Sequence, residues 1–178
     1  DHQFTPMATY APDNVITLGS FSKSFAMTGW RIGYLIGPEY LTEAARLVNE
    51  GITYSAPAPS QNAALYALQH ADEIIPEFAA TFAKRLTFIK EQVAEIEWLD
   101  VSPIQGSIYA FVDIRQTGLD SVTFAEQLLK KAGIIVIPGL AFGQAGEGFV
   151  RIAATQPLEV IKTAFDKIKQ LSPADFKA

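Results

Sequence analysis

The sequence predicts an α/β chain: part of a larger α/β domain, a long connecting helix, and a small α+β domain at the C-terminal end. Three observations carry that prediction. Two strand-like runs flank a Gly/Ser turn near the start, "NVITLGSFS" and "WRIGYLIG". A single amphipathic stripe then runs from Glu73 to Trp98. After it, strand-like and helix-like segments alternate to the end.

Composition bounds the rest. The chain has 178 residues, 49% hydrophobic and 19% charged, which fits a compact globule with a real core. A net charge of -5 without basic clusters argues against nucleic acid as a partner. No apolar run reaches the ~20 residues a membrane span needs. Cysteines number 0, so disulfides and thiol chemistry are excluded, and His2 and His70 lie too far apart to suggest a metal site. The first ten residues do not read as a secretory signal, so a cytoplasmic location is the default.

Taken in order, "WRIGYLIG" closes at Gly37-Pro38. Leu41, Ala44, Ala45 and Val48 recur at helical spacing, which predicts a helix from about Tyr40. In "ITYSAPAPSQ", Pro57 and Pro59 break the period, and a short Ala-rich helix follows over 61–70. From Glu73 to Trp98 the residues Ile74, Phe78, Phe82, Leu86, Ile89, Val93 and Ile96 step by fours and threes. A helix of about 25 residues spans roughly 37 Å, enough to tie two lobes together. "SIYAFVDI" alternates as a strand. Val122 to Ala132 reads as a helix capped by Asp120 or Ser121 and stopped by Gly133. "IIVIPG" and "FVRIAA" are short strands, and Pro157 opens a last helix with Leu158, Ile161, Phe165 and Ile168.

The expected domains are therefore 1–72, 73–98 as the connecting helix, and 99–178. Two strands and one helix do not make a stable layer alone, so the chain is expected to be the C-terminal part of something longer.

The chemistry centres on "GSFSKSFAMTGWRIGY". Lys23 is a nucleophile if apolar neighbours or a cation lower its pKa. Phe21, Phe25, Met27 and Trp30 are candidates for the apolar wall, and Arg31 for the cation. Arg31 can also grip a phosphate with two donors, and Ser20 and Ser22 add hydroxyls. An aldehyde cofactor carrying a phosphate would use all four. A solvated turn lysine with a surface arginine remains the alternative for Ser-x-Ser-Lys alone.

Over its full length, "SFSKSFAMTGWRIGY" resembles the cofactor-lysine segment of class I/II aminotransferases, fold type I pyridoxal-phosphate (PLP) enzymes. The shared features are Ser20, Ser22, Lys23, Gly29, Arg31 and Gly33. The resemblance implies that Lys23 carries PLP as an internal aldimine and acts as the catalytic base, while Ser20, Ser22 and Arg31 hold the cofactor phosphate. It identifies residues 1–72 as a remnant of the large PLP-binding domain. "VRIAAT" resembles the family segment whose arginine grips the substrate α-carboxylate, which implies that role for Arg151. Read alone, "FVRIA" fits an arginine on the solvent face of an edge strand. "VIPGLAFG" and "PIQGSIYAFVD" are similar to flanking family segments. "YSAPAPSQNAAL" resembles a loop reaching the neighbouring subunit's site, with Tyr54 and Ser55 as weaker candidates than structural turn residues.

The implied activity is amino-group transfer between an L-amino acid, aspartate or aromatic among the options, and a 2-oxo acid, in a homodimeric parent. The family's pyridine-pairing aspartate sits upstream of the lysine in a motif like Asp-Glu-x-Tyr. "DHQF" lacks the tyrosine, so Asp1 reads as following that motif, and the 178 residues alone are expected to show little or no turnover. Two alternatives stay open: a PLP lyase or decarboxylase of the same fold, and a non-catalytic sensing or dimerisation domain of a regulator.

Overall fold

The computed structural model describes residues 4–176. The chain divides into two compact units, Asp1–Ala79 and Ala80–Ala178. The division falls inside the longest helix.

In the first unit, β1 (Thr17–Ser20) and β2 (Gly33–Ile36) form an antiparallel pair in which Thr17 faces Ile36 and Ser20 faces Gly33. Between them lies α1 (Phe21–Ser24), a single turn capped by Ser20. The second strand starts later than "WRIGYLIG" suggests. Arg31 has φ +50°, a left-handed conformation that cannot continue a strand, so pairing begins only at Gly33 and ends at Ile36. Next come α2 (Glu39–Thr53) and α3 (Ala58–Gln69). The break between them is shorter than the prolines suggest, because Pro59 falls in the first turn of α3, where its missing N–H costs nothing. Phe21, Met27, Ala64 and Ala67 form the buried cluster of this unit, with Phe25, Ile32 and Ala63 against it.

The longest helix, α4 (Ala71–Ala94), has 24 residues and so spans about 36 Å. The sequence stripe runs on to Trp98, but the helix does not. Ile96 and Leu99 donate to the carbonyls three residues back, so Ile96 and Trp98 enter the core from a turn.

In the second unit, β3 (Asp100–Val101), β4 (Tyr109–Asp113), β5 (Ile137–Pro138) and β6 (Phe149–Ala153) form a sheet in the order β3-β4-β6-β5 with every neighbour antiparallel. Before β5 comes α5 (Ser121–Ala132), and after β6 comes α6 (Leu158–Ile168). Asp120 caps α5 by accepting the Thr123 N–H at 2.8 Å, and Gly133 ends it at φ +69°.

The two faces of this sheet differ. Ala110, Val112, Ile114 and Val150 are buried in a cluster with Leu86, Ile89 and Val93 of α4, Phe124 and Leu128 of α5, and Ile161, Phe165 and Ile168 of α6. The alternate residues Tyr109, Phe111, Phe149 and Arg151 are half-buried on the opposite face. No helix of the described residues is long and apolar enough to cross a membrane.

Candidate active site

Two groups of residues carry chemistry, one in each unit. The first sits at the open end of the β1–β2 hairpin. Gly19 pairs with Tyr34, and a Cβ on Gly19 would meet the Tyr34 ring at 1.9 Å. A Cβ on Gly33 would meet the Gly19 carbonyl at 2.6 Å. Glycine at both places lets the strands close, and that closure fixes where the chain leaves β1 and re-enters β2.

Between those points the backbone turns sharply. Ser20 Oγ accepts the Ser22 N–H at 3.1 Å, and the Phe21 N–H reaches the Ile32 carbonyl at 3.4 Å. Ala26 and Arg31 both adopt positive φ, +52° and +50°. Neither is a glycine, and such conformations cost on the order of 1–3 kcal/mol each, which the surrounding packing must sustain. The Arg31 Nη1 donates to the Thr28 carbonyl at 2.9 Å, which leaves its other N–H groups free toward the described residues.

Ser20, Ser22, Lys23 and Arg31 thus fall on one loop whose ends are pinned by the Ser20–Gly33 pair. Of the four, Ser20 and Ser22 are the two in direct hydrogen-bond contact. Ser22 is half-buried, and Ser20, Lys23 and Arg31 are exposed. The Lys23 amine makes no hydrogen bond or ion pair with a described residue. The expected apolar wall is not built around it. Phe21 and Phe25 lie four residues apart and face the same way, with ring centroids 5.4 Å apart, and Phe21 and Met27 pack with Ala64 and Ala67. Lys23, two residues on from Phe21, points away from that face.

The second group surrounds Arg151. The strand β6 is interior, between β4 and β5, so Arg151 is not on a sheet edge. It pairs with Phe111 on one side and Ile137 on the other. Its guanidinium carbon lies over the Tyr109 ring at 4.2 Å from the centroid and over the Phe142 ring at 4.7 Å. Its Nε is buried and has no acceptor among the described residues. Two carboxylates of the same unit are engaged with other residues. Asp113 holds the Arg115 Nε at 2.9–3.0 Å, and that guanidinium keeps the Asp113 carboxyl below its ordinary value. Glu147 accepts the Ser121 N–H at 2.7 Å, the Gly148 N–H at 2.9 Å and the Ser121 hydroxyl at 3.0 Å.

These donor sets fit the two ligands the sequence suggests. A primary amine, two hydroxyls and a guanidinium on one loop match an aldehyde bearing a phosphate. A half-buried arginine with an orphaned Nε–H matches a carboxylate, since an unfilled buried donor costs about 1–3 kcal/mol. The contact of Tyr109 and Phe142 with Arg151 was not readable in the sequence. The available signal was the alternation in "SIYAFVDI", which places Tyr109 and Phe111 on one face. Nothing local says that this face is the one Arg151 shares.

Tyr54 is 86% exposed at φ +62°, and the Ser55 N–H closes a tight turn on the Thr53 carbonyl at 2.8 Å. Both residues are thereby placed in a turn. Asp1 and His2 lie outside the described residues.

Comparison with known proteins adds a consistent picture. The profile of the family described as Aminotransferase class I and II matches residues 3–168. An aspartate aminotransferase of Pyrococcus horikoshii is 33% identical over 172 residues, covering 96% of this chain and 44% of that protein. Aromatic-amino-acid aminotransferase 2 of Thermococcus litoralis is 37% identical over 164 residues, covering 89% of this chain and 41% of that protein. Among solved structures, aspartate aminotransferase from Thermus thermophilus with maleate superposes with a TM-score of 0.89 at 28% identity, over 96% of this chain and 44% of that one. The aromatic aminotransferase from Pyrococcus horikoshii OT3 gives 0.83 at 34% identity, over 87% and 42%. The chain spans less than half the length of these relatives.

Proposed function

We propose, on the premise that this chain belongs to the class I and II aminotransferase family, that the protein moves an amino group between an L-amino acid and a 2-oxo acid. That family is PLP-dependent and has the fold type I architecture. The observation that carries the reading is the buried Nε of Arg151, which has no acceptor among the described residues and so suits a carboxylate from outside.

When bound, the cofactor supplies an aldehyde that condenses with amines and a ring that draws electrons from the substrate α-carbon. The chain's own residues do the rest. Lys23 Nζ would hold the cofactor aldehyde and would serve as the general base toward the substrate α-carbon. Arg31 and the Ser20 and Ser22 hydroxyls would hold the cofactor phosphate. Arg151 binds the α-carboxylate and so fixes the direction of the breaking C–H bond.

The reading extends to a homodimer in the cytoplasm. No residue of α2 is buried, and Leu47, Val48 and Ile52 are 60%, 62% and 74% exposed, which supports a covered face in the assembled protein. Relatives named for aspartate and for aromatic amino acids support those two substrate classes.

The test is a half-reaction on the whole protein as its gene encodes it, loaded with cofactor and given one amino acid alone. Transamination releases one equivalent of 2-oxo acid per cofactor and then stops. Continued turnover with release of carbon dioxide or ammonia would replace this reading with a decarboxylase or lyase.

A further inference from the structure

Arg151 can bind a carboxylate only if its donors are held in place, and among the described residues none accepts a hydrogen bond from its Nε. We propose that Tyr109 and Phe142 are positioning residues for the substrate carboxylate: their rings fix the guanidinium while leaving its N–H groups free. The proposal rests on the role given to Arg151 above.

A guanidinium is most often oriented by an acidic partner. Such a partner would consume the donors that the substrate needs, and a second carboxylate nearby would repel the first. An aromatic ring solves both problems. It attracts the cation through its negatively charged face and accepts none of the in-plane N–H groups. Here two rings lie 4.2 and 4.7 Å from the guanidinium carbon, while Nε stays buried and unbonded among the described residues.

Both rings are themselves located by the fold. Tyr109 begins β4, two pairs along from the Phe111–Arg151 pair, so its side chain shares the sheet face of Arg151. Phe142 comes from the loop between β5 and β6. That loop is pinched shut, since a Cβ on Gly139 would meet the Gly146 carbonyl at 1.9 Å and one on Gly146 the Gly139 carbonyl at 2.2 Å. The Leu140 N–H ties it to the buried Ser121 hydroxyl at 3.2 Å, and that hydroxyl donates to Glu147. Phe142 then rests edge-on against Phe111 at 6.1 Å, and Phe111 stacks on Phe149 at 5.1 Å and 7°. Phe142 nevertheless remains 49% exposed. A phenylalanine half in water adds little to a core, so its place over Arg151 is better explained by the ligand side.

The experiment compares Phe142→Leu, Tyr109→Leu, the ring-conserving Phe142→Tyr and Tyr109→Phe, and Arg151→Lys in the whole cofactor-loaded protein. Both leucine variants should raise KM for the amino acid and for the oxo acid together, by about tenfold, the value of one cation–π contact in a partly desolvated site. The value of kcat should change by less than about threefold, because the lost interaction acts in binding as well as in the transition state. The ring-conserving variants should stay within about twofold of the parent. As a second readout, the Arg151 side-chain resonances, assigned through Arg151→Lys, should lose their ring-current shift in Phe142→Leu. Phe142 is half exposed, so this variant decides the matter if Tyr109→Leu does not fold. If Arg151→Lys leaves KM unchanged, the carboxylate role of Arg151 fails and this proposal with it. If Arg151→Lys raises KM and the leucine variants do not, the positioning role alone is overturned.

Discussion

Replacing Arg151 by methionine should make the C-terminal unit more stable while removing the carboxylate binding proposed for it. The magnitude follows from the contacts. Arg151 keeps a buried Nε–H without an acceptor among the described residues, which costs about 1–3 kcal/mol relative to a satisfied group. Its compensation is the attraction of two rings, about 0.5–2 kcal/mol at this degree of exposure. Methionine removes the orphaned donor and returns about 0.3–1.5 kcal/mol through sulfur–aromatic contact with the same rings. The net gain is about 1 kcal/mol, or a rise of about 4–8 °C in Tm for a unit of roughly a hundred residues. Fluorescence can follow this unit alone, because Trp98 lies in its core and the other tryptophan, Trp30, can be changed to phenylalanine. A Tm that falls by several degrees in Arg151→Met would refute the reasoning. It would mean that the arginine is a structural member of the sheet with its donors satisfied.

Ile89 is 0% exposed at the centre of the α4 face, so Ile89→Ala should cost about 3 kcal/mol in denaturant unfolding, and a loss under ~1 kcal/mol would show that the face is not packed as described. Glu147 is held below its ordinary value of 4.5 by the Ser121 N–H first and the Gly148 N–H next. A carboxylate with a depressed folded-state pKa contributes stability above its unfolded value and loses it as pH falls through the folded one. Glu147→Gln should therefore lower Tm most at neutral pH, and the gap to the parent should close on acidification below about 4.5; a gap that persists at pH 2 would assign the effect to shape instead of charge.

How much of this was legible depends on whether a signal was local. The caps of α5 were readable because Asp120 and Gly133 act within one turn of their own positions. The β-strand character of "YAFVD" and "FVRIA" was readable from alternation. The pairing that sets Phe111 beside Arg151 was not, since register depends on where the strands meet. Phe142 reaches the site through a loop whose closure needs Gly139 and Gly146 to touch across seven positions, and no short window contains that information. The strand-like run "IIVIPG" shrinks to Ile137–Pro138, which pair with Arg151 and Val150. Around Lys23, the motif located the loop, while the hydrophobic residues interleaved with it suggested a wall that the helical spacing of Phe21 and Phe25 turns elsewhere.

The account rests on Lys23 being the amine that takes the cofactor aldehyde, on a loop where Arg31 and two serines take its phosphate. The direct measurement is to treat the protein with pyridoxal phosphate, trap the adduct with borohydride and map the modified peptide by mass spectrometry. The account predicts modification concentrated on Lys23, and its loss when inorganic phosphate competes or when Arg31 becomes alanine. A label spread evenly over Lys84, Lys90, Lys130 and Lys131, with Lys23 no more reactive than they are, would contradict it.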